Sequence, residues 1–303
     1  MKKRLFLVIL CLALLTSCGE PMIEPNVEGE QPVTSGDGAI YAESDGEDVD
    51  EFFTDAAPEP VLCRIVDGAE GGNLLLADAV EDGPYQGSGV YRLTVDEKTL
   101  VYLDGEVADS SVLKDGMLVE VFYNGYVMES FPAQFGGFRY LAAYSQGSEM
   151  DPGGTYYDLC GFYLKVLDDL WNTDPALNSD ITVVGLDLSN APGTLTRGQR
   201  AALAWRFGEL HDVWVVEGTL ETIREAGYLT DLGKDLYAWE DGCMFTIEAN
   251  EWAEGEHYSL PVLKFNAHKW RSPLGAYGFS ECSAVWPQMG TWTEYNIGAQ
   301  FIS

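Results

Sequence analysis

His268-Lys269-Trp270-Arg271-Ser272 is the basic cluster of a chain with 49 aspartates and glutamates against 17 lysines and arginines. Two cations either side of an indole suit an anionic or sugar group: the charges meet the ligand while the ring stacks on it. The competing expectation is that Trp270 belongs to the core and that Lys269 and Arg271 pair with nearby acids. Glu129-Ser130, just ahead of Pro132, is a second polar pair. It suits a ligand contact on a barrel rim. Its alternative is a loop pinned by hydrogen bonds to the backbone.

Other residues that do chemistry are few or unpatterned. The histidines are His211, His257 and His268, with no helical pairing and no H-E-x-x-H run. A Cys–His nucleophile needs Cys160, Cys243 or Cys282 to meet His268 in space. There is no G-x-S-x-G elbow and no phosphate loop. With so many acids, carboxylate pairs of the kind used in glycoside cleavage will arise somewhere. Asp174, Asn178 and Asp180 crowd one loop with oxygen donors of the type Ca²⁺ takes. Their spacing is not that of an EF-hand, so turn and cap roles are expected. No metal and no cofactor are expected.

The chain opens Met1-Lys2-Lys3-Arg4, then runs unbroken and apolar from Leu5 to Leu15. A transmembrane helix wants roughly 20 apolar residues; this run has the length of a signal-peptide core. Leu15-Thr16-Ser17-Cys18 resembles the bacterial lipobox. The resemblance implies cleavage ahead of Cys18, a diacylglyceryl group on its sulfur, and a further acyl chain on the new amino group. Each buried methylene contributes about 0.8 kcal/mol, and stable anchoring takes two signals rather than one chain. A diacylated cysteine supplies both. The expected location is the cell membrane, lipid-anchored on the extracytoplasmic face.

Residues 1–17 are thus read as signal peptide and 18–60 as an acidic, disordered linker. The linker carries Pro21, Pro25, Pro32, Pro58 and Pro60 and has no lysine or arginine, so it holds little that forms a core. A chain of that length spans on the order of 35 Å. The formal net charge of -32 argues against nucleic acid, whose phosphates need a basic surface, and suits a soluble surface protein. Export permits disulfides. Of Cys63, Cys160, Cys243 and Cys282, the expected pair is Cys243 with Cys282, both in strands of one sheet. The alternative is four buried free thiols.

From Val61 the chain turns to short apolar runs broken by glycine and asparagine, such as Leu74-Leu75-Leu76 and the alternating Gly89 to Val95. Asn124-Gly125 is a strong hairpin signal. About five or six strands here suggest a small OB-like closed barrel over 61–145. Leu113-Lys114-Asp115-Gly116-Met117-Leu118-Val119-Glu120-Val121, the Tyr123-Asn124-Gly125 turn and Glu129-Ser130-Phe131-Pro132-Ala133-Gln134 together resemble the YobA-like domain of unknown function. That resemblance implies a small β-barrel in a secreted protein and carries over no catalytic role.

Residues 154–303 read as an α+β domain, its helices packed on a mostly antiparallel sheet. Tyr156, Leu159, Cys160, Tyr163, Leu167 and Leu170 form one helical stripe. Thr196 with Gln199 fits a capping box. The tail reads as consecutive strands of an antiparallel meander. The leading functional expectation is a non-enzymatic binding protein for an extracytoplasmic protein or glycan. The alternatives are an envelope hydrolase acting on cell-wall or glycan material, and a subunit of an envelope complex.

Overall fold

The computed structural model describes residues 59–81, 83, 87–152, 158–250, 262–285 and 292–303. The leader, Cys18, the linker up to residue 58, Tyr156 and His257 lie outside them. The described residues belong to one compact unit.

Nine strands come first: β1 (Val61–Asp67), β2 (Asn73–Asp78), β3 (Val90–Thr94), β4 (Val101–Leu103), β5 (Glu106–Ala108), β6 (Leu118–Tyr123), β7 (Val127–Met128), β8 (Ala133–Phe135) and β9 (Phe138–Tyr144). They make one sheet in the order β5-β4-β9-β6-β1-β2-β3-β8-β7. The expected small closed barrel is overturned: the sheet is open, with β5 and β7 at opposite ends. Two short hairpin arms are responsible. β4 joins β9 in parallel and β8 joins β3 in parallel, so the added strands widen the sheet at both edges instead of closing it.

The second half supplies α1 (Leu159–Asn172), β10 (Val183–Asp187), α2 (Arg197–His211), β11 (Trp214–Glu217), α3 (Leu220–Glu225), the hairpin β12 (Thr230–Gly233) and β13 (Leu236–Ala238), then β14 (Gly242–Ala249), β15 (Val262–Ser272), β16 (Gly275–Val285), β17 (Thr293–Asn296) and β18 (Ala299–Ile302). A seven-stranded sheet runs β11-β10-β14-β15-β16-β17, with β18 also on β16. β10 is parallel to both β11 and β14; β14 to β18 pair antiparallel. The described chain is therefore mostly β, two large open sheets with three helices, and not a small closed barrel followed by an α+β domain.

α1 and α2 pack against both sheets. One buried cluster joins Val66, Leu75, Ala77 and Val90 of the first sheet to Tyr163, Val166, Leu203 and Phe207 of the helices and to Phe245, Phe265 and Phe279 of the second sheet. The opposite face of the first sheet buries Cys63, Leu74, Leu76, Tyr91, Val119 and Leu141 in a core of its own. This is why Leu74 to Ala77 has no alternation: both of its faces are covered. At the joint, a Cβ on Gly198 of α2 would stand 2.5 Å from the Gly89 carbonyl oxygen. Only a glycine lets the helix come that close to β3.

Candidate functional site

The basic cluster lies on β15, and strand alternation divides it. Lys269 is fully buried. Its ammonium donates to the carbonyl oxygens of Trp171 (3.4 Å), Thr173 (2.6 Å) and Asp174 (3.1 Å) and to Asn178 Oδ1 (3.1 Å). Burial pulls its pKa down to about 8, opposed by nearby Cys243 and Asp174; four oxygen acceptors favour the charged form. The loop whose oxygens suggested a Ca²⁺ grip thus holds a lysine cation. Arg271 donates to the carbonyls of Trp239 (3.2 Å), Leu177 (3.4 Å), Ser179 (2.8 Å) and Glu240.

Trp270 points to the opposite face and packs with Ile223, Trp239 and Met244. Adjacent strand residues face opposite ways, so the indole and the two flanking cations do not converge on one ligand. His268 shares the Trp270 face, opposite Thr246 and Gly278. Burial lowers its pKa, against the pull of Glu248 and Asp187. The cluster ties loops to the sheet, and it does so through backbone carbonyls and the Asn178 carboxamide, not the acids expected.

Ser130 and Glu129 are exposed. The Ser130 hydroxyl donates to the Pro132 carbonyl at 2.8 Å, and its N–H to Met128 O at 2.9 Å, which pins the loop between β7 and β8. All four described cysteines are free and buried. Cys243 lies next to Met244, the partner of Trp270, whereas Cys282 pairs with Phe265. β15 stands between them and they are offset along it by several residues, on the order of 15–20 Å at strand rise. A disulfide needs Cα atoms within about 7 Å, so the expected bridge does not form. The Cys243 thiol donates instead to Trp270 O at 3.4 Å.

The place where polar side chains do converge is elsewhere. A cavity of about 290 Å³ lies where the N-termini of α1 and α2 meet the first sheet, lined among others by Arg64, Asp158, Cys160, Thr194, Thr196 and Gln199. Each helix start is fixed locally. Asp158 caps α1 by accepting from Gly161 N at 3.1 Å. Thr196 Oγ1 accepts from Gln199 N at 3.1 Å while Gln199 Oε1 accepts from Thr196 N at 3.0 Å, a reciprocal box that satisfies the first-turn donors. Thr196 Oγ1 also donates to Asp78 O at 2.7 Å, which docks α2 onto β2.

Arg64 forms a bidentate pair with Asp151, at 3.0 and 3.1 Å, and donates to Gly116 O at 3.0 Å. Asp151, in the connection between β9 and α1, is thereby tied to β1. Asp158 is pushed up to about 7, chiefly by burial. The Gly161 N–H lowers it, Asp115 and Asp67 raise it, and Arg64 lowers it. The Cys160 thiol is raised by burial and by Asp158, so it stays protonated and is a poor nucleophile.

A carboxyl whose pKa is raised by folding contributes stability that is present below about 4 and lost as pH rises through about 7. Asp158→Asn keeps the cap and removes that loss. The variant is expected to exceed the parent by about 2 kcal/mol at pH 8.5, half the full linkage value because the side chain is only partly buried, and to match it near pH 4. Urea unfolding at the two pH values measures this; equal gains at both would refute the burial argument.

The Thr196–Gln199 box and the apolar stripe of α1 were legible in sequence. That the two helix starts meet, with Arg64 and Asp158 between them, was not, because no local pattern reports a contact between residues so far apart in the chain. Comparison of the chain with family models, with curated proteins and with solved structures gives no match in any of the three.

Proposed function

We propose that this chain is a lipid-anchored, extracytoplasmic binding protein, held to the membrane through Cys18, that takes a small molecule into the cavity between the α1 and α2 N-termini. One observation carries the reading. The cavity is mainly apolar with a few polar groups, its thiol stays protonated, its guanidinium is paired with Asp151, and it is lined by a single carboxyl, Asp158. Such a lining orients a ligand and offers no nucleophile–base pair. The test is native mass spectrometry of the full chain purified in detergent from bacterial membranes. A bound small-molecule mass is expected, and it is lost in Thr194→Trp, which fills the mouth from an exposed position. Identical spectra for the two proteins would overturn the reading. Peptide mapping should find Cys18 as the lipidated first residue; an unmodified terminus elsewhere removes the anchor.

A hydrolytic role has one observation in its favour. The pKa of Asp158, about 7, lies where a general acid or base works best. Turnover of cell-wall glycan that disappears in Asp158→Asn would favour that reading over simple binding.

A further inference from the structure

Asp158 has no cation to pair with among the described residues. The one hydrogen-bond partner of its carboxylate among the described residues is the Gly161 N–H. The nearby guanidiniums belong to others: Arg64 is paired with Asp151, and Arg206 with Asp67. Arg64 acts on it without pairing, and the other charged groups around it are acidic. Asp67 and Asp115 both act on it electrostatically, and Asp115 itself is raised by burial and by Asp67 and Glu70. Two helix N-termini bring partial positive charge, but three of their first-turn donors are already engaged. Asp158 caps α1, Gln199 N goes to Thr196, and Arg197 N donates to Glu81 at 3.1 Å. An anion would sit beside the Asp158 carboxylate, with Asp67 and Asp115 acting from behind the lining.

Two other lining groups have capacity to spare. The Gln199 carboxamide oxygen is occupied by Thr196 N, which leaves its NH₂ to donate. The Thr194 hydroxyl is exposed and can donate or accept. We infer that the ligand of this cavity is a small protonated amine carrying at least one hydroxyl, with its ammonium on the Asp158 carboxylate and its hydroxyl on Gln199 and Thr194. The inference rests on the binding function proposed above and names the chemistry of that ligand. The ammonium supplies the counter-charge that the fold withholds from Asp158, and pairing a buried carboxylate in this way is strongly charge-assisted.

Isothermal titration calorimetry of the detergent-solubilised full chain tests it. The probes are ethanolamine and 3-amino-1,2-propanediol, beside their uncharged counterparts ethylene glycol and glycerol. At pH 8.5 the two amines bind and the two polyols do not. At pH 5.5, where the carboxyl is protonated, amine affinity falls by about tenfold or more. Asp158→Asn, which keeps the α1 cap and so stays folded, removes amine binding at both pH values. Polyols that bind as well as the amines, or amine binding that persists in Asp158→Asn, would overturn the amine assignment and leave the cavity reading standing. Silence from all four probes overturns the amine assignment as well. Native spectra with a bound mass would then keep the cavity reading, and spectra without one would end both.

Discussion

Lys269→Met lowers the unfolding free energy by about 5 kcal/mol and the melting temperature by roughly 10 °C or more. Methionine fits the space, so the loss is not one of volume. It comes from three main-chain carbonyls, those of Trp171, Thr173 and Asp174, and the Asn178 carboxamide, which lose their common donor. Each acceptor left buried and unsatisfied costs about 1–3 kcal/mol, partly offset because the ammonium no longer has to be desolvated. Lys269→Arg does not rescue, since a planar fork cannot point three donors at one compact cage. The measurement is urea unfolding of both variants at pH 7. A loss below 1 kcal/mol for methionine would mean that the loop finds other donors and that the cage is incidental.

The lysine also leaves a mark on pH dependence. Its folded pKa, about 8, lies below the unfolded value. The folded state therefore binds fewer protons than the unfolded chain between about 8 and 10.5. Stability from this group is lowest below about 8 and rises with pH through that window. Lys269→Met flattens this segment of the curve.

Phe207→Ala costs about 4 kcal/mol, within the range for deleting a buried aromatic ring. Phe207 is fully buried, with its ring 5.8 Å from Trp171 and 5.5 Å from Phe245. It sits on α2, in the layer that both sheets share. The consequence reaches beyond its neighbours: the whole unit should melt earlier as a single transition. All eight tryptophans lie after residue 154, so their fluorescence reports the second half alone. Far-UV circular dichroism reports both sheets. Coincident curves at a shifted midpoint with an unchanged slope are expected. A first sheet that survives after the fluorescence change is complete would show that the two halves are independent bodies.

The basic cluster shows how far sequence carried the site. His268 to Ser272 stood out by charge, and its placement in a strand was also legible. Taken together, those two facts already separate Trp270 from Lys269 and Arg271, because neighbours on a strand face opposite ways. Composition drew attention to the residues; periodicity, applied to the same stretch, explains why they do not form a common pocket. The Asp174–Asp180 loop is the converse. Its oxygens do grip a cation, but the cation is a side chain from a strand some ninety residues away, and no spacing rule covers that distance.

What the sequence determined by itself is local. The α2 start follows from Thr196 and Gln199, which satisfy each other within one turn. The α1 face follows from an apolar stripe at helical period, and Leu74-Leu75-Leu76 was legible as a strand. These signals involve residues a few positions apart, where hydrogen-bond and packing geometry leave little choice. The tertiary structure alone decided that the first sheet stays open and widens at both edges, that Cys243 and Cys282 sit several residues out of register, and that the two helix starts enclose Asp158. Strand order, register and helix docking are chosen among alternatives of similar local propensity. That choice is settled only by which arrangement buries the most apolar surface and leaves the fewest polar groups unpaired.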